Sequence, residues 1–329
     1  MNHVERFRAV MAGLPVDRLP MIEWAGWWDK TIDRWHGEGL PTELTDAVDI
    51  RSYFGLDPYR QFWVGAVGEP APHQKALVGH VASTDDYLAL RPALYGQAQA
   101  AGEWLRPWSA AQAAGELVVW LTLDGFFWFP RQLMGIERHL YAFYDAPELM
   151  HRINADLCEY NLSVVAGAAA ACRPTFVTLA EDMSYNHGPM ISPELFAEFL
   201  APYYRRLVPA LHELGAAVIV DSDGDVTALA PWLLAVGVDG VLPLERQAGV
   251  DGMALREAHP RLCMIGHFDK MTMPRGRGAM RAEFERLLPL MRSGRFVPSV
   301  DHQTPPGVSL SQYRDYLALL TEYTRLAVE

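Results

Sequence analysis

Residues 216–224 read Ala-Ala-Val-Ile-Val-Asp-Ser-Asp-Gly: an apolar run followed at once by two carboxylates one residue apart and a glycine. Four other stretches share this grammar. TFVTLA (175–180) ends in Glu181-Asp182, GVLPL (240–244) in Glu245, LCMIG (262–266) in His267-Phe268-Asp269-Lys270, and RFVPSV (295–300) in Asp301-His302. Short apolar runs without polar alternation read as strands buried on both faces, which is the mark of a parallel sheet. Ionisable groups at the carboxyl ends of such strands converge on one crevice or barrel mouth, so scattered acids become one predicted constellation.

The connections between these strands read as helices. Asp145-Ala146-Pro147 opens a helix reaching Ala171, with proline near the first turn. Ser192-Pro193 opens another that runs to Leu214, stops at Gly215 and is broken or kinked at Pro202. Further helices are predicted over 225–236, 251–258, 279–292 and 309–327, and a short amphipathic one over 4–13. LVVWLTL (117–123) is one more strand, Met21 to Trp24 reads as the first, and a poorly defined one falls between 60 and 90. About eight strands alternating with helices predict a single (β/α)8 barrel (TIM barrel) domain spanning 1–329, with an elaborated region over roughly 25–115. No glycine-rich phosphate-binding motif follows the early strands, which makes a nucleotide-binding doubly wound sheet the weaker reading.

Composition narrows the function classes. The chain has 329 residues, half of them hydrophobic, with 28 basic and 40 acidic side chains and a formal charge of −12. That balance argues against a nucleic-acid or anionic-membrane partner. The longest apolar run, Leu162 to Cys172, is far shorter than the ~20 residues a membrane helix needs. Three scattered cysteines (Cys158, Cys172, Cys263) with no CxxC pair suit a reducing cytoplasm better than a disulfide framework.

Asp221 and Asp223 are the sharpest candidates. They are placed to bind a hard divalent cation or substrate hydroxyls, the alternative being that one of them caps the helix beginning near Val226. His302 at the last strand end is a candidate ligand or acid/base group. Glu181, Glu245 and His267 are candidate catalytic residues by the same strand-end logic. Tyr185 and His187, in the loop after Glu181, are candidate substrate contacts. Trp24 ends the first predicted strand and Trp28 follows it; both are candidates to wall a ligand pocket, against the alternative of ordinary core. Asp269-Lys270 reads as an internal ion pair fixing a loop.

Several blocks together resemble the uroporphyrinogen decarboxylase superfamily: ERFRAVMAGLPVDRLP, GPMISPELFAEFLAPYYRRL, VIVDSDGDVTALAPWLLAVGVDGVLPLE, and IGHFDK followed by FVPSVDHQTPP. The resemblance covers nearly the whole chain and is most specific over 175–307. It implies a (β/α)8 barrel with its site at the strand ends, and a plausible homodimer. The superfamily also holds zinc-dependent methyltransferases that move methyl groups to and from corrinoid proteins and thiols. True uroporphyrinogen decarboxylases carry an early arginine-bearing RQAGRY-like segment; here that place reads EWAGWWDK, without the arginine.

In the methyltransferase branch a His-x-Cys-Gly motif and a later cysteine hold zinc. Asp221-Ser222-Asp223-Gly224 is similar in position to the first, and His302 matches the second. The resemblance therefore implies Asp221, Asp223 and His302 as a metal set, holding zinc less tightly or a harder ion such as manganese or iron, or else acting as a polar substrate clamp. The function it implies is transfer of a methyl group from or to a small O-, N- or S-methyl compound, with a corrinoid protein as a possible partner. The alternative is a decarboxylase acting on a small carboxylate held by Lys270 or Arg131.

Overall fold

The computed structural model describes residues 1–96, 98 and 100–329. Seven strands form one wholly parallel sheet in chain order: β1 (Tyr59–Val64), β2 (Val118–Asp124), β3 (Phe176–Ala180), β4 (Ala217–Asp221), β5 (Gly240–Leu242), β6 (Cys263–Phe268) and β7 (Phe296–Val300). β2, β3, β5, β6 and β7 are buried along their whole length, which accounts for their unbroken apolar reading. Helices cover the sheet, among them α1 (His3–Ala12), α2 (Pro147–Ala171), α3 (Ala201–Glu213), α4 (Arg277–Arg292) and α5 (Leu310–Leu326). The buried apolar cluster is continuous from Val4 to Ala327.

The predicted strand over 21–24 does not form a ladder. The segment runs between the two edges of the sheet and is held there mainly by side chains. On the β1 side, Asp57 N donates to Met21 O at 2.8 Å, Asp57 Oδ2 accepts from Met21 N, and the Tyr59 hydroxyl donates to Glu23 O. On the β7 side, Trp24 N donates to Ser299 Oγ and Trp24 Nε1 donates to Val300 O. One segment meeting both edge strands requires the sheet to curl. The sheet thus has seven strands and an irregular filler where an eighth was predicted, because Asp57, Tyr59 and Ser299 take the bonds a regular ladder would use.

Other differences have local causes. The ladder of β5 ends at Leu242, because Pro243 has no N–H to give it. The long helix after Ser192 opens with the predicted cap, Ser192 Oγ accepting from Leu195 N, then widens into a π turn over Phe196–Leu200 directly before Pro202. That turn absorbs the missing proline donor. The helix predicted over 225–236 is confined to Ala230–Ala235. In the elaborated region Trp35 is fully buried, with its Nε1 donating to Val308 O, and is ordinary core.

Candidate active site

Asp221 is the last residue of β4, paired in register with Ala180 of β3. Side chains alternate along an extended chain, so Ser222 turns away from its neighbours. Its hydroxyl accepts from Met183 N at 3.1 Å and ties down the loop after β3. Gly224 follows at a φ of 82°, and a Cβ there would lie 2.7 Å from the Tyr185 backbone, so only glycine lets the two loops pack. Its N–H donates to Glu245 Oε2 at 3.0 Å.

This loop lines a cavity of about 380 Å³ at the carboxyl ends of the strands. Four indoles wall it: Trp24, Trp63, Trp120 and Trp128. Four carboxylates reach it, those of Glu181, Asp182, Asp221 and Asp223, together with His302 and two glutamines. His302 Nε2 lies 3.7 Å from Asp223 Oδ2, and its ring meets that of Trp24 edge-on at 6.0 Å.

Crowded acids in a partly dry cavity resist ionisation. Burial, and then the nearby charges of Asp223 and Asp182, push the Asp221 carboxyl well above its ordinary range. Asp223 is pushed up to about 6, by burial first and the Glu245 charge second, with His302 pulling the other way.

Glu181 is fully buried and its carboxylate is engaged by the loop after β2. Oε1 accepts from Phe126 N at 2.8 Å and from the Tyr204 hydroxyl; Oε2 accepts from Phe127 N at 2.6 Å and Trp128 N at 3.1 Å. A Cβ at Gly125 would fall 2.1 Å from that carboxyl carbon, so glycine makes the approach possible. Burial raises Glu181 to about 7 against the pull of these four donors. Its geometry fits a residue that positions the Phe126-Phe127-Trp128 loop, and through it the Trp128 wall, rather than a free proton carrier.

The remaining candidates divide. Glu245 lies beside the Asp loop through Gly224, outside the cavity lining. Tyr185 and His187 are exposed at a two-residue hairpin, their rings edge-on at 5.6 Å, and Tyr185 O accepts from Asp225 N. Trp28 is 44 % exposed and is likewise no part of the lining.

His267 departs most from expectation. It lies inside β6, not beyond its end, and is fully buried, with Nδ1 against Leu244 O at 2.9 Å and Nε2 accepting from Gly252 N at 3.1 Å. Burial lowers its pKa to about 3, so it stays neutral and bonded, away from the cavity. The predicted Asp269–Lys270 pair also resolves differently. Lys270 Nζ reaches Asp301 at 3.3 Å, while Asp269 Oδ1 accepts from Met271 N and caps the turn that follows. Arg131 is engaged by Asp182, at 2.9 Å from both its carboxylate and its carbonyl.

The sequence reading missed Trp63, Trp120 and Gln61. A signal was present in the threonines at mid-strand in otherwise apolar runs. Gln61 Nε2 donates to Thr122 Oγ1 (2.9 Å), Thr122 and Thr178 share a hydroxyl bond (2.8 Å), and Trp120 Nε1 donates to Thr178 Oγ1 (2.8 Å). The chain of bonds crosses β1, β2 and β3 and fixes the Trp120 indole.

Among the described residues, no group of three His, Cys, Asp or Glu side chains is placed to hold a metal ion together. Asp223 and His302 face each other at 3.7 Å, but no third ligand joins them. The donor set expected at Asp221, Asp223 and His302 therefore does not fit a preassembled metal site.

A family model described as uroporphyrinogen decarboxylase (URO-D) matches residues 123–323, more than half of the chain. The chain belongs to the uroporphyrinogen decarboxylase family. The match takes in every strand end of the cavity except those of β1 and the filler segment. Among solved structures, a methyltransferase from Methanosarcina mazei is similar over 98 % of this chain and 99 % of its own, at 14 % identity and a TM-score of 0.66. At that identity the likeness concerns the fold, and it extends through the elaborated N-terminal region that the family model leaves out. A B12-independent methionine synthase from Shewanella sp. W3-18-1 is a looser likeness: 12 % identity, 70 % of this chain, 66 % of that one and a TM-score of 0.42. No curated protein matches the sequence. No helix among the described residues is long and apolar enough to cross a membrane.

Proposed function

We propose that this member of the uroporphyrinogen decarboxylase family is a methyltransferase, moving a methyl group between a small methylated compound and a nucleophilic acceptor. The observation that carries the reading is the make-up of the cavity: four indoles and four carboxyl groups, with no lysine or arginine among the described residues of the lining. A decarboxylase must seat an anionic carboxylate; this lining offers no cation to hold one, and a further negative charge would make ionisation of its already crowded acids costlier still. The two cations offered for that role are engaged elsewhere, Arg131 by Asp182 and Lys270 by Asp301. An apolar methyl group on a neutral or cationic carrier suits the same surface.

In this reading the tryptophans exclude water and hold the methylated group, while Asp221 and Asp223 orient it. Glu181 fixes the Trp128 wall through its three backbone bonds. A corrinoid protein or a thiol would supply the nucleophile when present. Three buried free cysteines suit a reducing cytoplasm, and a homodimer follows the family resemblance.

The test is methyl transfer in both directions. Purified protein is given methylcobalamin and a thiol, or a reduced corrinoid and a panel of O-, N- and S-methyl compounds, and corrinoid absorbance is followed. Transfer that Asp221→Asn lowers by about 10²-fold or more supports the reading. Carbon dioxide release from a panel of small carboxylic acids, with no methyl transfer, overturns it.

A further inference from the structure

The cavity's side chains differ in whether their polar atoms are already satisfied. Three of the four indoles have their N–H engaged: Trp24 by Val300 O, Trp63 by Asp124 Oδ1 and Trp120 by Thr178 Oγ1. What these three offer a ligand is ring surface, not a donor. Of the four carboxylates, Glu181 is filled by backbone and tyrosine donors and Asp182 by Arg131.

Asp221 and Asp223 are left. Among the described residues no hydrogen bond reaches the Asp221 carboxylate, and Asp223 Oδ1 is buried without a partner. Two neighbouring acids short of donors, with only the His302 ring 3.7 Å from Asp223 Oδ2 and indoles around them, are an incomplete arrangement. A buried acceptor with nothing to accept from is costly, and a cation between two carboxylates relieves both their desolvation and their repulsion.

We propose that the cavity binds a small organic cation of the N-methylated ammonium class as its substrate. The proposal rests on the methyl-transfer reading and narrows it from any methyl compound to this one. A compact metal ion needs ligand atoms converging at about 2.0–2.6 Å, which these side chains do not supply. A methylated ammonium spreads its charge over its methyl groups and needs no such convergence. It is held by indole faces within about 6 Å and by the field of nearby carboxylates. At about 380 Å³ the cavity is at the small end of the range for small-molecule sites.

The chemistry is consistent with this ligand. When a quaternary ammonium gives up a methyl group, the C–N bond breaks with its electron pair staying on nitrogen. The methyl carbon bonds to an electron pair of the acceptor, a thiolate or a reduced corrinoid. The amine leaves neutral, so the leaving group requires no proton. An ether or a thioether would leave as an anion and would need an acid to receive it.

The experiment is equilibrium binding to the full chain, by calorimetry or tryptophan fluorescence. The probes are tetramethylammonium, choline, the neutral choline isostere 3,3-dimethylbutan-1-ol, and malonate. Saturable binding of either cation is expected, with the isostere weaker by about tenfold or more. Asp221→Asn and Asp223→Asn are each expected to weaken cation binding by a similar factor and isostere binding by less, so that the preference for the cation narrows. Equal affinity for choline and its isostere, tighter binding of malonate, or no saturable cation binding overturns the proposal. The wild-type comparison stands even where a variant folds poorly. Cation binding without any methyl transfer would retire the functional reading alone. Methyl transfer from a neutral aryl methyl ether, without cation binding, would retire the substrate class alone.

Discussion

Asp223 Oδ2 lies 3.7 Å from His302 Nε2, although the two residues follow β4 and β7, strands with two others between them in the sheet. Only a curled sheet brings those ends together. The side chains of His302 and Asp223 are 32 % and 39 % exposed, so solvent screens the pair and it contributes little to stability. His302→Gln is therefore expected to leave the melting temperature within about 2 °C of wild type while lowering kcat/KM for methyl transfer at least about tenfold. Equal losses in both would make His302 a structural residue.

Glu181→Gln replaces a carboxylate that accepts from three backbone N–H groups and the Tyr204 hydroxyl. An amide keeps one acceptor oxygen and turns a donor toward groups that are themselves donors. We expect a loss of about 1–3 kcal/mol in urea unfolding and a shifted tryptophan emission maximum as Trp128 moves. KM should rise more than kcat falls. A selective collapse of kcat with unchanged fluorescence would instead make Glu181 a proton carrier.

Stability should fall between pH 5 and pH 8, and Glu23 supplies a clean test. It is fully buried beside Ser299 and Tyr313, and burial raises its carboxyl to about 7 from an ordinary 4.5. A carboxyl with a raised folded pKa contributes stability that is complete below the unfolded value and is lost as pH climbs through the folded one. The loss is on the order of 3 kcal/mol for this group. Thermal melts of Glu23→Gln across that range should be flatter than wild type, with the two curves closest near pH 5. Parallel curves would mean that Glu23 ionises at its ordinary value.

His267→Asn removes a ring that bridges Leu244 O and Gly252 N from inside β6. Unpairing buried groups costs about 1–3 kcal/mol each, so the variant should melt clearly lower. Ligand affinity and the pH profile of turnover should be unchanged, because the ring is neutral and away from the cavity. A displaced pH profile would return His267 to the reaction.

Dialysis against a chelator should leave the melting temperature and the choline affinity as they were. Metal analysis of protein purified without chelator is the companion measurement. A stoichiometric ion whose removal abolishes affinity would reinstate Asp221, Asp223 and His302 as ligands.

Much of this molecule was legible in its residues. Apolar runs, five of them closed by acidic or histidine residues, marked six parallel strands and their order, because burial on both faces imposes continuous hydrophobicity whatever the surroundings. Ser192 and Gly215 set the ends of their helix for equally local reasons. Asp221, Asp223 and His302 were found from sequence, since strand ends of a parallel sheet share one side. What each ionisable group does there was decided by contacts distant in the chain. Glu181 is filled by a loop more than fifty residues earlier, His267 is turned into a scaffold by Gly252 and Leu244, and Trp63 and Trp120 become cavity walls only when β1 and β2 curl toward β7. Periodicity records which residues are buried, a property of each segment with its own solvent exposure. Which buried polar atom finds a partner depends on the closing of the sheet, and that placement leaves Asp223 Oδ1 without one and turns its other oxygen toward His302.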